Sequence, residues 1–273
     1  MNAPSSSSPA SGSPAELLAL AVEIAEEAGR LILGERPRRV EVAATKSSPT
    51  DIVTIMDTAA ERLIRSRIRA ARGEDGILGE EGGESRGESD TVWVIDPIDG
   101  TVNYLYGIPA FAVSIGVQVG GVPVAGVVHD PSRGESFTAV RGGGAHLAGH
   151  PIEVGQETDP NQALVGTGFA YDAETRRQQA AAVAELLPQV RDIRRIGSAA
   201  LDLCSVACGR LDAFLERGLN PWDLCAGGLI AAEAGAQVAG LRGKPAGERL
   251  VVAANPGLFS ALHDMLVTAG FDD

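Results

Sequence analysis

The sequence predicts a layered fold of the α/β class that mixes α+β and α/β parts. Three observations carry this reading. Two amphipathic helical patterns open the chain, and an apolar run at 91–95 begins a series of strand patterns. The second half then alternates strand with helix.

Each element has its own signal. Ser13-Pro14-Ala15-Glu16 reads as a capping box with proline at the first helical position. Leu17, Ala21, Ile24, Ala28 and Leu31 follow at helical spacing, and Gly34 marks the stop. A second helix is predicted over 57–71, with Ala60, Leu63, Ile64 and Ile68 on one face. Residues 46–54 between them read as an irregular or hairpin-like connection. The stretch 79–90 is rich in Gly and Glu and is expected to be exposed and mobile, with 82–90 as a candidate lid over Glu80. A buried strand at 91–95 is expected to end at Asp96-Pro97. Further strands are predicted at 111–119, 122–129 and 136–140, with Gly120-Gly121 as a hairpin turn. Residues 141–151 read as a loop or another hairpin. Strands at 164–166, 192–195, 211–216 and 250–254 alternate with helices at 173–187, 198–208 and 222–234, and Pro256 opens the last helix.

A chain of 273 residues, 44% hydrophobic, is long enough for one large or two modest domains. The expected division is a Ser- and Pro-rich disordered tail at 1–13, a subdomain at 14–150 and another at 151–273. The net charge of -13 argues against a nucleic-acid partner, which requires clustered Lys and Arg, and against an anionic membrane surface. It also means that a bound phosphate would need positive charge from elsewhere, such as bound cations. No apolar run is long enough for a transmembrane helix, and the N-terminus lacks a secretory pattern. The three cysteines, Cys204, Cys208 and Cys225, fit a reducing cytoplasm and read as core residues.

The chemistry concentrates in carboxylates beside turns. Asp96-Pro97-Ile98-Asp99-Gly100-Thr101 directly follows the buried strand. Two carboxylates at a strand end suit a hard cation such as Mg²⁺, which takes oxygen ligands and substrate phosphate. Gly100 lets backbone approach a ligand, and Thr101 adds a hydroxyl beside exposed amides. The plain alternative is an Asx-turn. Glu80 in Gly79-Glu80-Glu81 is by itself equally a solvated loop charge, and Asp223 a helix-start residue favoured by the dipole.

The motif Trp93 to Thr101 with Asn103, together with Trp222-Asp223 leading into Ala226-Gly227, resembles the paired motifs of the inositol monophosphatase family. Gly79-Glu80-Glu81, Asp51 to Thr54 with Asp57, and Lys46 to Pro49 resemble the upstream motifs of that family in the same order, and Gly197 to Asp202 resembles its bacterial members. The resemblance covers nearly everything from about Ala15 onward. It implies a layered αβαβα sandwich of the inositol monophosphatase and fructose bisphosphatase type, with most metal ligands in 14–150 and 151–273 completing the site. It also implies a phosphoric monoester hydrolase that uses two or three Mg²⁺ ions, is sensitive to Li⁺, and forms a homodimer. Glu80, Asp96 and the carbonyl of Ile98 would hold one ion. Asp96, Asp99 and Asp223 would hold a second, and Asp57 with Glu80 would help position a weaker third and its waters. Thr101 with Glu80 would orient the attacking water. Gly100 and Thr101 would meet the phosphate, while Asp99, Ala199, Glu216 and Asp223 would line the substrate, with Lys46 near the metals. The substrate would be a small phosphorylated cyclitol or sugar: inositol monophosphate first, with fructose 1,6-bisphosphate or histidinol phosphate as rivals within the fold. A non-catalytic regulatory or interaction protein is the alternative of a different class.

Other features offer less. The four histidines form no helical i, i+4 pair, since His146 and His150 have that spacing but fall in the loop or hairpin at 141–151. Gly142-Gly143-Gly144 lacks the Lys-Ser/Thr ending of a phosphate loop and reads as a turn. Arg191, Arg194 and Arg195 form a small basic patch, readable as a strand end, a subunit contact or a phosphate or partner site. Ala148-Gly149 stands where an Asn-Gly turn is common in the family.

Overall fold

A computed structural model describes residues 12–37, 40–46 and 52–271. The expected tail therefore falls almost wholly outside the described residues, as do Asp51 and the residues just after Lys46. Helix α1 spans Pro14–Gly34, and its Ser13–Glu16 capping box is formed as predicted. Its buried stripe is Leu17, Ala21, Ile24, Ala28 and Ile32, so Ile32 takes the inward place assigned to Leu31. Strands β1 (Val42–Thr45) and β2 (Ile52–Thr54) pair as a small antiparallel ribbon. Helix α2 (Ile55–Ala71) starts two residues earlier than predicted because Thr54 is its N-cap, which puts Asp57 at the third helical position.

Strands β3 (Gly76–Gly79) and β4 (Gly83–Ser85) come next, then β5 (Thr91–Asp99) and the short helix α3 (Thr101–Tyr106). The remaining strands of this half are β6 (Ala112–Val119), β7 (Val122–Asp130), β8 (Glu135–Val140), β9 (Ala145–Leu147) and β10 (His150–Ile152). They form an eight-stranded sheet in the order β10-β9-β8-β7-β6-β5-β3-β4, antiparallel except for β3 beside β5. Its last strand reaches past residue 150. The second half contributes β11 (Leu164–Thr167), α4 (Ala173–Leu186), β12 (Asp192–Arg194), α5 (Ala199–Ala207) and β13 (Ala213–Glu216). Helix α6 (Pro221–Glu233), β14 (Gln237–Ala239), β15 (Val251–Ala254) and α7 (Pro256–Thr268) complete it. The second sheet has the order β12-β11-β13-β15-β14.

Three apolar clusters separate the layers. The first joins α1 and α2 to one face of the large sheet through Ile24, Ile64, Trp93, Ile115 and Val127. The second, built on Leu203, Ala226, Ile230 and Phe214, fills the space between the two sheets around α5 and α6. The third packs α4 and α7 on the outer face of the small sheet through Ala182, Val252 and Leu262. The result is the expected αβαβα sandwich.

The central helix lies unusually close to the large sheet. A Cβ added at Gly116 of β6 would stand 2.4 Å from Cys225 Sγ, and one at Gly126 of β7 would stand 3.0 Å from Ala226 Cα. Bare backbone at these two positions lets α6 settle into contact.

Two local expectations are corrected. Residues 79–90 do not form a free lid. β4 pairs with β3, Arg65 holds the Gly83 carbonyl, and the amides of Glu88 and Ser89 both donate to Glu74 O at 2.8 and 3.0 Å. These bonds fasten the segment as a sheet edge despite its exposed glycines. β5 also does not end at Asp96-Pro97. The strand continues to Asp99 through an irregularity: Asp96 pairs with Ser114 and Asp99 with Ala112, so Pro97 and Ile98 face Val113 alone. A bulge of this kind accommodates proline because its missing N–H breaks no ladder bond. Strands β3, β9, β10 and β14, like helix α3, are too short to show a full period in the sequence.

The β9–β10 turn carries Ala148 at φ 49° and Gly149 at φ 79°. An exposed alanine held in the left-handed region is strained. Ala148→Asn is expected to stabilise the fold by about 1 kcal/mol. Urea unfolding with an unchanged m-value checks this, and a lower midpoint would show that the turn carries no such strain.

Candidate metal centre

The bulge in β5 builds the site. In a regular strand, residues three apart face opposite sides. The one-residue insertion between Asp96 and Asp99 turns both toward α6. Asp223 arrives from that helix. Asp96 is paired with Ser114, and the Ser114 hydroxyl donates to the carbonyl of Trp222 at 3.2 Å, next to Asp223. One oxygen from each of Asp96, Asp99 and Asp223 then lies within 4.8 Å of the other two. Asp96 is 2% exposed and Asp99 8%.

Each carboxylate is steadied differently. Asp99 Oδ2 accepts the Ser198 hydroxyl at 2.6 Å and the Ala200 amide at 2.7 Å, both at the start of α5. Burial outweighs these bonds and pushes its carboxyl up to about 6. Asp223 sits at the third position of α6 and accepts the Asn220 amide at 2.7 Å through Oδ2. Burial and the charge of Asp99 hold it well above the ordinary carboxylate range. Asp96 accepts the Ile98 amide at 3.0 Å and lies within hydrogen-bond reach of Glu80. Burial pushes it far up, and the neighbouring charges of Glu80, Asp99 and Asp223 add to the rise. Such a set of oxygen donors fits a hard divalent cation.

Glu80 follows β3 and lies beside this cluster. Lys46 Nζ contacts Glu80 Oε1 at 2.7 Å and Glu81 Oε1 at 2.6 Å. Burial raises the Glu80 carboxyl, and Lys46 opposes the rise. Burial works against the charged form of Lys46, but its two glutamates outweigh that and raise it above its ordinary value. Asp57 is fully buried and does not reach the cavity. Thr54 occupies its Oδ2, and the Thr101 hydroxyl lies 3.0 Å from its Oδ1. The same hydroxyl is 3.1 Å from the Ile98 carbonyl.

These groups open into a cavity of about 530 Å³. Lys46, Glu80, Asp96, Ile98, Asp99, Gly100, Thr101 and Asp223 line it together with Ala199, Glu216 and Arg195. Every sequence-predicted site residue except Asp57 borders it. Of the basic patch only Arg195 does: Arg191 holds Gln162 and Arg194 holds Asp192. A second cavity of about 450 Å³ lies on the far face of α6 and is mainly apolar, without the carboxylate cluster. The Gly142–Gly144 turn is filled by Glu233, which accepts both the Gly142 and Gly144 amides.

Sequence reasoning missed Glu61. This buried side chain accepts the Glu81 and Gly82 amides at 2.7 Å each and pairs with Arg65, fixing the turn that carries Glu80. Its i, i+4 spacing to Arg65 reads as an ordinary surface pair. Asp202, which closes the Gly197 to Asp202 motif, is buried in α5, and its Oδ1 has no hydrogen-bond partner among the described residues.

Residues 13–269 match the inositol monophosphatase family. The inositol-1-monophosphatase SuhB of Mycobacterium tuberculosis (strain H37Rv) is 48% identical over 268 residues, covering 91% of this chain and 92% of that protein. The Nus factor SuhB of Escherichia coli (strain K12) is 42% identical over 232 residues, covering 83% and 86%. A solved structure of Mycobacterium tuberculosis SuhB superposes with a TM-score of 0.82 at 45% identity, covering 96% of this chain and all of that one (100%).

The Glu216 carboxyl is raised from 4.5 to about 8, by burial first and then by the charge of Asp99, against the opposing influence of Arg195. Below pH 4.5 both folded and unfolded chains hold this proton. Above it the unfolded chain releases the proton while the folded chain keeps it until about 8. Metal-free stability is therefore expected to fall as pH rises across that window. Denaturation in chelator across the pH range checks this, and Glu216→Gln should remove its share of the slope.

Proposed function

Because the chain belongs to the inositol monophosphatase family and gathers Asp96, Asp99 and Asp223 around one point, we propose that it is a Mg²⁺-dependent phosphomonoesterase that releases inositol and phosphate from inositol monophosphate. The observation that carries this reading is the buried three-carboxylate cluster, whose mutual repulsion leaves a divalent cation as its natural counter-charge.

In this reading Asp96, Asp99 and Asp223, with Glu80 and the Ile98 carbonyl, would hold the Mg²⁺ ions. Bound there, Mg²⁺ supplies an acidified water and neutralises charge on the phosphoryl oxygens. The chain's own groups do the rest. A hydroxyl has one proton to give. If Thr101 gives it to Asp57 or to Ile98, its lone pairs remain to accept from the attacking water. Asp57 is thus a positioning residue for Thr101 rather than a cavity wall. Glu80 holds that water from the other side, and Lys46 opposes the rise that burial imposes on its carboxyl. Gly100 at φ 101° presents backbone to the phosphate, because a side chain there would meet the Ala110 carbonyl at 2.9 Å. Glu216 and Ala199 receive the departing alcohol. The protein from Escherichia coli carries the name Nus factor, which keeps a non-catalytic role in view; an intact set of carboxylates favours catalysis here.

Asp96→Asn should lower turnover about a thousandfold or more, as removal of a group aimed at transition-state charge does. Its metal-free melting temperature should stay at or above that of the original chain, because the substitution relieves repulsion. Retained activity would defeat the assignment. Mg²⁺ at a hundred times its dissociation constant should stabilise the original chain by about 2.7 kcal/mol. Scanning calorimetry with and without Mg²⁺ reads this, and the absence of any shift would count against the cluster as a metal centre. Parallel assays on inositol 1-phosphate, fructose 1,6-bisphosphate and histidinol phosphate test the substrate; preference for either of the latter two would replace inositol phosphate.

A further inference from the structure

The start of α5 belongs to the second half of the chain, yet it is held from the first half at two separate points. One is Asp99, through Ser198 and Ala200. The other is Asn103 on α3, a side chain only 5% exposed. Its carboxamide nitrogen donates to Ala110 O at 2.7 Å and to Ile196 O at 2.8 Å, with Gly197 O farther away at 3.3 Å. An amide NH₂ has two protons, so Ala110 and Ile196 account for both. Ala110 leads into β6 of the large sheet, and Ile196 leads into α5.

The backbone is shaped to allow this contact. Gly197 has φ 95°. A Cβ there would stand 2.9 Å from Asn103 Nδ2 and 2.5 Å from Arg195 Nη1. A glycine is required for Asn103 to come within reach of the chain on either side.

The geometry points to Asn103 as a positioning residue that registers the alcohol-facing wall of the cavity, at Ala199, against the phosphate-facing turn 96–101. This rests on the phosphatase reading above. Asp99 has to serve both the cation and α5, whereas both bonds of Asn103 go to neutral backbone carbonyls and do not depend on metal. Asn103 therefore keeps Ala199 in place while the charge on Asp99 is engaged. It touches neither the carboxylates nor the cavity, so its loss falls on recognition of the alcohol more than on phosphoryl transfer.

The test compares Asn103→Ala and Asn103→Asp with the original full chain in Mg²⁺, on two substrates. Inositol 1-phosphate has a hydroxylated ring to place against Ala199 and Glu216; p-nitrophenyl phosphate has none. The expected result is a KM for inositol 1-phosphate raised about tenfold, the scale of one or two lost buried hydrogen bonds, with a clearly smaller change in kcat/KM for p-nitrophenyl phosphate. An equal loss on both substrates, or no loss, would overturn the proposal. Hydrogen exchange supplies a readout independent of activity. The amides of Ala200 and Leu201 should exchange faster in Asn103→Ala, while those in the middle of α6 keep their protection; unchanged exchange at α5 would overturn it as well. If the original chain hydrolyses neither substrate, the phosphatase reading fails and the exchange result alone decides the clamp. Gly197→Ala, which forces Asn103 and Arg195 aside, should reproduce the same pattern should both Asn103 variants fold poorly.

Discussion

Three like charges crowded at the centre of the sandwich set the terms for the whole structure. Two carboxylates about 4 Å apart repel by about 4 kcal/mol at an effective dielectric of 20. That is a large fraction of the 5–15 kcal/mol or so that keeps a typical domain folded. Asp96, Asp99 and Asp223 cannot be gathered by their own preference, so the surrounding chain has to impose it. The apolar layers provide the force. Trp93, Ile95 and Ile98 of the same strand are fully buried between helices and sheet. Burying a single large side chain of this kind contributes about 1.5–3 kcal/mol. Three of them on one strand work together to hold its end where the carboxylates stand.

The backbone then converts that force into geometry. A one-residue bulge places Asp96 and Asp99 on the same side. Two glycines, Gly116 and Gly126, let α6 come near enough to deliver Asp223. Ser114 ties the two deliveries together, since it faces Asp96 in the ladder and bonds Trp222 beside Asp223. The capping boxes of α2 and α6 each use a carboxylate at the third helical position, Asp57 and Asp223. In both cases the same side chain that begins the helix is aimed by it. An ordinary device for starting a helix thereby fixes a functional oxygen to within the freedom of one rotamer.

Much of this was legible in the chain. Long periodic segments such as α1 and β6 announce themselves, and the order of the carboxylate motifs points to one site. What stayed hidden has a common cause. The bulge at Asp96-Pro97 looks like a strand end, because proline and two aspartates carry strong turn signals while the pairing that overrides them lies on a distant strand. The segment 79–90 looks mobile by composition, yet Arg65 and Glu74 fasten it from outside. Glu61 looks like a surface helix residue and is instead the anchor of the turn bearing Glu80. The bonds of Asp57 to Thr54 and Thr101 were likewise unseen. Each of these depends on a contact between residues far apart in sequence or on the direction of a single side chain, and neither leaves a periodic trace.

The four acidic groups of the site are not equivalent, and the difference orders their roles. Glu80 has a cation already, in Lys46. Asp99 has the hydroxyl of Ser198 and an amide of α5. Asp223 has the amide of Asn220 and the start of its own helix. Asp96 has one amide from its own turn and three acidic neighbours. The protein thus offsets three of the four charges in part, while burial still raises each of them, and gives the central one the least support. A cation entering such a cluster would gain most from Asp96. The flanking carboxylates, held by bonds that do not depend on the cation, act as a rigid frame around it. Preorganisation of this kind keeps the ligands from collapsing onto one another or turning away before the cation arrives. It also explains why Lys46 is fixed at the edge of the cluster: a lysine at its centre would satisfy Asp96 permanently and close the site to metal.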